Sequence, residues 1–385
     1  MLFPEIYKPN YSCKMKRILL AITVVIAFIL IFNKLIYDDR PLPNDRALRV
    51  EINRYKHGIS SISMSDTNFL ELYPLDSILK GNRVLLLGEM RHDDGETFRA
   101  KSRLIRYLHE KLDYNIVLYE AGQYDMWLMN REMDSPTIGL RGASVAGLGM
   151  FDFWWRNEEN NPLINYYHQS KSTENPITLG GFDIQFSGAL LANKRAKLLE
   201  DFCHKYKIDL KDYPQLQKQL HKLEYLTFTG YVNRNLESTE KKQLLNELSK
   251  LGNAVSALGG GEEQQVYTRY LRDIKGNYEK SWLYASGTMQ SMHRRDSLMA
   301  QNLQYQIDSV YAGKKIIVWC ANIHTFSKAY NEEYLPLGAY IKMKYGHQAY
   351  MLDFSSYARK NDAGKTVEKP GKLAIENIFH ELGSP

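Results

Sequence analysis

The sequence predicts an α/β domain, in which helices flank a mostly parallel β-sheet, preceded by a transmembrane helix near the N-terminus. Short apolar runs that end in glycine or a polar residue are typical of buried parallel strands. Between these runs, apolar residues recur at three- and four-residue steps, which is the spacing of helices. A longer apolar run lies near the N-terminus between charged residues. The composition of the 385 residues, 44% hydrophobic and 24% charged, is typical of a globular protein.

The N-terminal segment has the composition of a membrane anchor. Residues 18–32 are almost entirely apolar, and Tyr37 extends the stretch to about the length that spans a bilayer. The basic residues just before the run are Lys14, Lys16 and Arg17. This charge distribution predicts a cytoplasmic N-terminus, with the rest of the chain on the outer or periplasmic side. A single-pass anchor at residues 1–37 is favoured over a cleaved signal peptide, because no small-x-small cleavage site follows the run.

The remaining chain divides into a lead-in and one large domain. Residues 38–80 begin with a proline-containing, turn-forming sequence and are interpreted as a linker that becomes ordered. The α/β pattern occupies residues 81–385. Within it, a helical pattern from about 189 to 312 predicts a large helical insertion in the topology of the sheet.

Five apolar segments are expected to form the sheet. Residues 84–88 form a fully apolar run ending in glycine, and residues 115–119 form the next run after a helical pattern that begins near Phe98. This strand–helix–strand order predicts a parallel pair. The later strands are expected at residues 177–182, 315–319 and 349–354.

Charge and cysteine content exclude several classes of protein. The net charge is +6, but residues 1–40 carry six basic and three acidic residues, so the remainder is nearly neutral. No basic stripe or zinc-finger spacing is present, and no nucleic-acid partner is expected. The three cysteines form no Cys-x-x-Cys pair, which argues against a zinc ribbon, a redox motif or a disulfide framework.

Polar residues follow four of the expected strands. The carboxyl ends of parallel strands share one edge of the sheet, where open α/β sheets bind ligands, so these residues should meet. They are Glu89 and His92 after the first strand, Glu120 after the second, Asp183 and Gln185 after the third, and Asn322 and His324 after the fourth.

These residue types indicate acid–base chemistry at an acyl carbonyl. A carboxylate beside a histidine fixes the imidazole tautomer and stabilises the imidazolium that forms when the ring takes a proton. A second histidine can protonate a leaving group or stabilise an oxyanion. A covalent serine route is less supported, because no Gly-x-Ser-x-Gly sequence is present. Since one carboxylate and two histidines can also ligate zinc or manganese, metal-dependent hydrolysis is the alternative.

The same segments resemble the erythromycin esterase family. Gly88-Glu89-Met90-Arg91-His92 is similar to the Gly-Glu-x-x-His motif of that family, and Glu120-Ala121 to its second-strand Glu-Ala. Further matches occur in the same order at Trp155-Arg156-Asn157-Glu158, Gly181-Phe182-Asp183-Ile184-Gln185, Arg295-Asp296 with Met299-Ala300 and Asn302, Val318-Trp319-Cys320-Ala321-Asn322-Ile323-His324, and Leu337-Gly338-Ala339-Tyr340. Ala321 stands where the family has a histidine.

The resemblance implies a hydrolase of small-molecule esters or lactones that uses neither metal nor cofactor. It implies that His92 is the general base, that Glu89 and Glu120 orient it, and that His324 binds or polarises the substrate. The other side chains expected to contact substrate are Lys101, Trp155, Asp183 and Asn322. Two alternatives remain: a metal-dependent hydrolase similar to Tiki-type metalloproteases, and a non-catalytic ligand-binding homologue.

Overall fold

The structure, a computed structural model, describes residues 45–136, 140, 142–226, 236–284, 287–360, 366–371 and 374–383. The chain divides into a large unit, Ile59–Ser355, and a smaller unit that contains the residues up to Gly58 and from Ser356 onward. The anchor predicted at residues 1–37 lies outside the described residues. Among the described helices, none combines the length and hydropathy needed to span a bilayer.

A five-stranded parallel sheet forms the centre of the large unit. Its strands are β1 Val84–Leu87, β2 Tyr114–Gly122, β3 Thr178–Asp183, β4 Lys315–Trp319 and β5 Ala349–Leu352. Their spatial order is β3-β2-β4-β1-β5, and every neighbouring pair is parallel. Leu87 at the end of β1 lies opposite both Trp319 and Leu352. The prediction of a mostly parallel sheet with helices on its faces is confirmed, and the carboxyl ends of the strands share one edge.

Helices account for most of the other described residues. The α-helices are α1 Asp45–Tyr55, α2 Pro74–Ile78, α3 Gly95–Leu112, α4 Gln123–Asp134, α5 Asp152–Trp155, α6 Asn161–Ser170, α7 Arg195–Lys205, α8 Pro214–Gln219, α9 Ser238–Ser256, α10 Glu262–Leu283, α11 Thr288–Tyr305, α12 Asn322–Thr325, α13 Leu337–Tyr345 and α14 Ile375–Glu381. Short 3-10 helices lie at Leu70–Leu72, Gly142–Leu148, Glu158–Asn160, Ala189–Leu191, Leu210–Asp212, Leu220–Leu226 and Gly346–Gln348, and a π-helical turn at Gln306–Val310.

The smaller unit contains α1, α14 and a short antiparallel pair, β6 Arg359–Lys360 with β7 Thr366–Glu368. Arg49 of α1 forms an ion pair with Glu381 of α14 at 2.5 Å. None of these elements was predicted. The segment that contains α1 was interpreted as a linker, and β6 and β7 are too short to show the alternation that identifies strands.

The central residues of each strand are apolar because both faces of the sheet are covered. On one face, Leu85 and Leu87 belong to a core that includes Phe98 of α3. On the other face, Val84 and Leu86 belong to a core that includes Met299 and other residues of α11. Helix α3 begins where the Asp94 side chain accepts a hydrogen bond from the Thr97 amide at 3.2 Å, which satisfies a free backbone donor.

Helices α10 and α11 are tied to the carboxyl end of β3. Asn277 of α10 donates to the carbonyl oxygen of Ile184, and Asn302 of α11 donates to that of Phe182 at 3.2 Å. Arg295, which precedes Asn302 on α11, is therefore held close to the carboxyl ends of the strands.

Candidate active site

The loop after β1 carries a carboxylate–histidine pair. Glu89 is completely buried, whereas 38% of the His92 side chain is exposed. The distance from Glu89 Oε1 to His92 Nδ1 is 2.8 Å. Because a carboxylate accepts the hydrogen bond, Nδ1 carries the proton in the neutral ring and Nε2 carries the lone pair. Within the described part of the chain, Nε2 has no hydrogen-bond partner.

Two further donors fix the Glu89 carboxylate. Lys101 Nζ lies 2.7 Å from Glu89 Oε2 and also donates to the carbonyl oxygen of Leu87 at 3.0 Å. Trp154 Nε1 donates to Glu89 Oε1 at 3.2 Å. The Lys101 ammonium lies 4.0 Å from the centre of the Trp319 ring. Burial lowers the pKa of Lys101, and the neighbouring Glu89 partly opposes that effect. We refer to Glu89, His92, Lys101 and Trp154 as the first cluster.

The His92 ring is held on its faces as well as at Nδ1. Phe153 stacks on it with ring centres 4.6 Å apart, and Trp154 meets it edge-on at 5.9 Å. Burial by itself would lower the pKa of His92, but the hydrogen bond with Glu89 and the charges of Glu120 and Glu89 raise it overall. The ring is thus a somewhat stronger base than a free histidine and has a fixed orientation.

A second group of charged residues surrounds Glu120. Arg295 NH2 lies 2.7 Å from Glu120 Oε1 and 2.6 Å from Asp183 Oδ2, so one guanidinium bridges the ends of β2 and β3. The backbone amide of Ala321 donates to Glu120 Oε2 at 2.9 Å. Burial would raise the pKa of Glu120, but His324 and Arg295 hold it well below its usual range.

His324 lies between two carboxylates in this group. Its Nε2 is 3.2 Å from Glu120 Oε1, and its Nδ1 is 2.9 Å from Asp296 Oδ2. Tyr334 OH donates to the same Asp296 oxygen at 2.9 Å. Burial would lower the pKa of His324, but the two carboxylates raise it to about 10. His324 is therefore an imidazolium at neutral pH, with both N–H groups in use. The second cluster comprises Glu120, Asp183, Arg295, Asp296 and His324.

The backbone joins the two clusters. The amide of Cys320 donates to the carbonyl oxygen of Leu87 at 3.1 Å, and the amide of Asn322 donates to that of Glu89 at 2.8 Å. These bonds continue the ladder between β1 and β4 beyond the last strand residues. The loops that carry His92 and His324 are consequently held side by side.

The other residues expected at the site have varied surroundings. Lys101 is fully buried against Glu89, and Asp183 is fully buried against Arg295. Trp155 Nε1 donates to Asp152 at 2.9 Å, whereas the adjacent Trp154 reaches Glu89. Asn322 Nδ2 donates to the carbonyl oxygen of Phe354 at 2.9 Å.

The position of Glu120 differs from the expected arrangement. It forms no hydrogen bond with His92 in the described structure and influences that ring only through its charge. Its bonds go to Arg295, His324 and the Ala321 amide.

Three residues of the two clusters were given no role by sequence reasoning. Arg295 and Asp296 come from helix α11, and a search confined to strand ends does not reach a helix. The signal that could have found them is the Arg-Asp pair in the family resemblance. The sequence analysis predicts Trp155 at the site instead of its neighbour Trp154, because the sequence of a four-residue helix does not show which indole points inward.

The carboxylates of both clusters have protein cations as partners. Lys101 neutralises Glu89, and Arg295 bridges Glu120 and Asp183. Across the described residues, no group of three or more His, Cys, Asp or Glu side chains is arranged to hold a metal ion.

Comparison with known proteins assigns the chain to a family. The family model described as erythromycin esterase matches residues 109–385. The Bacillus subtilis (strain 168) protein YbfO, named as a candidate hydrolase, is 26% identical over 283 residues, which are 69% of this chain and 60% of that protein. The chain thus spans less than two thirds of the length of YbfO.

Two further proteins are similar to the chain. Erythromycin esterase type II of Escherichia coli is 22% identical over 323 residues, covering 79% of this chain and 76% of that protein. A solved structure of an erythromycin esterase mutant, EreC, in its open conformation has a TM-score of 0.61 at 16% identity and covers 85% of this chain and 86% of that one. The last comparison shows a shared fold, and the family model covers most of the chain. The chain belongs to the erythromycin esterase family.

Proposed function

We propose that the protein hydrolyses a carboxylic ester or lactone of a small molecule, using a water that His92 activates. The observation that carries the proposal is the 2.8 Å contact between Glu89 Oε1 and His92 Nδ1, which leaves Nε2 as an oriented base on a half-exposed ring. Glu89 is fully buried and bonded to Lys101, so it can stabilise the imidazolium that forms without changing position.

The proposed reaction has two proton transfers through one ring nitrogen. His92 Nε2 takes a proton from water as the water oxygen bonds to the carbonyl carbon, and a tetrahedral oxyanion forms. The bond from that carbon to the ester oxygen then breaks, and Nε2 returns the proton to the departing alkoxide. The products are an alcohol and a carboxylic acid, which loses its own proton to solvent. In a lactone both groups stay in one molecule.

Arg295 is the proposed donor to the carbonyl oxygen. Its NH2 and Nε groups are taken by Glu120 and Asp183, and among the described residues the hydrogen-bond contact of NH1 is with His324 Nε2, at 3.4 Å. Since His324 is an imidazolium, both of these nitrogens are donors, and NH1 remains available for an acceptor. The Arg295 side chain is 17% exposed, so substrate can reach it.

The surroundings of the site favour a substrate with apolar surface. Exposed apolar side chains near the two loops include Met90 at 52%, Phe153 at 36% and Phe326 at 38%. The Escherichia coli relative is named an erythromycin esterase, and a macrolide lactone is one candidate substrate for this protein. Lys101 is proposed to act through Glu89, while Asn322 and Asp183 are proposed to shape the site.

The decisive experiment compares His92→Ala with wild type. The soluble body, starting near residue 38, is screened on aryl esters, simple lactones and macrolides, with and without chelator. We expect hydrolysis that survives chelator and a loss of ~10²–10⁴ in kcat for His92→Ala, the worth of a positioned base. The matched control is His204→Ala, which alters an exposed histidine of α7 and should retain wild-type activity.

Two outcomes would replace this proposal. Activity that chelator abolishes and added metal restores would support the metal-dependent alternative. If no ester or lactone is hydrolysed and His92→Ala leaves ligand binding unchanged, the protein is a binding homologue.

We propose in addition that residues 1–37 anchor the protein in the membrane with the hydrolase on the outer side. The support is the apolar run at residues 18–32 and the basic residues before it. Protease added to intact spheroplasts should digest the domain. Full protection of the domain would contradict this orientation.

A further inference from the structure

Lys280 is a basic residue beside the second cluster that the proposed reaction does not use. It lies in the last turn of α10, and Ser291 Oγ of α11 donates to its carbonyl oxygen at 3.0 Å. Asn277, one turn earlier on α10, bonds to the Ile184 carbonyl just after Asp183. These contacts place Lys280 between the end of β3 and the segment of α11 that leads to Arg295.

The Lys280 ammonium has no acceptor among the described residues. Other cations of the site are bonded: Lys101 to Glu89, and Arg295 to Asp183 and Glu120. Lys280 is half-buried, so its charge is only partly hydrated while remaining accessible. A partly desolvated ammonium without a protein partner gains from contact with an anion.

The charges that face Lys280 come from two elements, Arg295 on α11 and Asp183 at the end of β3. Burial and the Arg295 charge together lower the pKa of Lys280 to about 8, against the opposing effect of Asp183. Both carboxylate oxygens of Asp183 accept hydrogen bonds from Arg295. The attraction of Asp183 for the Lys280 ammonium is therefore weaker than the repulsion from Arg295. The Lys280 ammonium therefore has no carboxylate of its own among the described residues.

From this placement we propose that Lys280 binds a carboxylate on the substrate, so that the enzyme selects esters or lactones carrying a negative charge near the reacting carbonyl. This inference rests on the proposed function, because it assigns a substrate class to the same site. The carbonyl oxygen would accept from Arg295 NH1, and the substrate carboxylate would accept from Lys280 Nζ.

The test uses two aryl esters that differ in one charge, 4-nitrophenyl butyrate and the mono-4-nitrophenyl ester of glutaric acid. Wild type is expected to show a higher kcat/KM for the anionic ester. Lys280→Met should lower kcat/KM for the anionic ester about 10-fold, mainly through KM, because one charge-assisted hydrogen bond is lost. The neutral ester should change less than 2-fold, and Lys280→Arg should retain most of the preference.

The matched control is Lys275→Met on the same helix, whose ammonium bonds to Ser249 at 2.9 Å on another face of α10. Lys275→Met should leave kcat/KM for both esters unchanged. An equal loss on both esters in Lys280→Met, or no loss on either, would overturn the assignment.

A direct binding experiment separates this inference from the proposed function. If wild type hydrolyses neither these two esters nor any other ester or lactone of the screen, the proposed function fails, and binding of glutarate is measured by calorimetry. Glutarate binding that is weakened in Lys280→Met but not in Lys275→Met supports the anion site. Equal affinity in all three proteins, or no binding to any, refutes it.

Discussion

Both clusters combine a glutamate, a histidine and a strong cation, but they hold the histidine differently. His92 is bonded to one carboxylate, is 38% exposed and keeps Nε2 without a described partner. His324 is 3% exposed and lies between Glu120 and Asp296, which use both of its nitrogens. The number of carboxylates around each ring therefore separates a base that can exchange protons from a cation that holds carboxylates in place.

The largest expected effect comes from Glu89→Gln in the first cluster. The change removes the charge that supports the His92 imidazolium and leaves the Lys101 ammonium buried without a carboxylate. We expect at least a 100-fold loss of kcat and a destabilisation of about 3–5 kcal/mol, the usual cost of breaking a buried pair from one side. Steady-state kinetics and urea unfolding measure the two effects, and Glu96→Gln on the exposed start of α3 is the control.

Two additional measurements sharpen that comparison. The double variant Glu89→Gln with Lys101→Met should recover much of the stability but not the activity, since it removes the isolated charge without replacing the carboxylate.

The pH profile of wild type is a second measurement. A base must be neutral, so kcat/KM should fall as pH drops through the raised pKa of His92. In Glu89→Gln the acidic limb of the kcat/KM profile should move to lower pH. A limb that stays in place would show that His92 is not the titrating group.

In the second cluster, His324→Gln should reveal a stability effect that depends on pH. The folded pKa of His324 is about 10, above the ordinary value of 6.5, so its charge stabilises the fold fully below about pH 6.5. That contribution is lost as pH rises through 10. We expect the variant to be less stable than wild type by about 3 kcal/mol at pH 6 and the difference to narrow toward pH 10. Urea unfolding at pH 6, 8 and 10 tests this, and a constant difference would show that His324 is neutral.

The smallest effect is expected for Trp154→Phe. The change removes the indole donor to Glu89 but keeps an aromatic ring at a buried position. A loss of about 1 kcal/mol and a few-fold decrease in kcat should follow, because Lys101 still holds the carboxylate. Trp155→Phe is the control and should leave kcat within 2-fold. If Trp155→Phe has the larger effect on kcat, the assignment of the two indoles is reversed.

Sequence reasoning locates the strands better than it locates the partners of each side chain. Val84–Leu87 and the other four strands of the sheet lie where apolar runs predict them, because a strand covered on both faces has few other compositions. Glu89 and His92 could be paired from their spacing after β1. Arg295 could not be placed, since its position depends on how α11 crosses the end of β3. Burial of Lys101 was equally out of reach, because the side chain lies on a helix of mixed polarity.

The backbone bond from the Asn322 amide to the Glu89 carbonyl has a consequence for how substrate range can change over generations. Main-chain groups form that bond, so it does not depend on the identity of neighbouring side chains. Met90 and Phe326 lie close in sequence to the residues joined by this bond and are 52% and 38% exposed. Mutations at these positions can alter which molecules fit while the spacing of His92 and Arg295 is preserved. The fold thus allows the substrate range to change while the backbone arrangement of the site is kept.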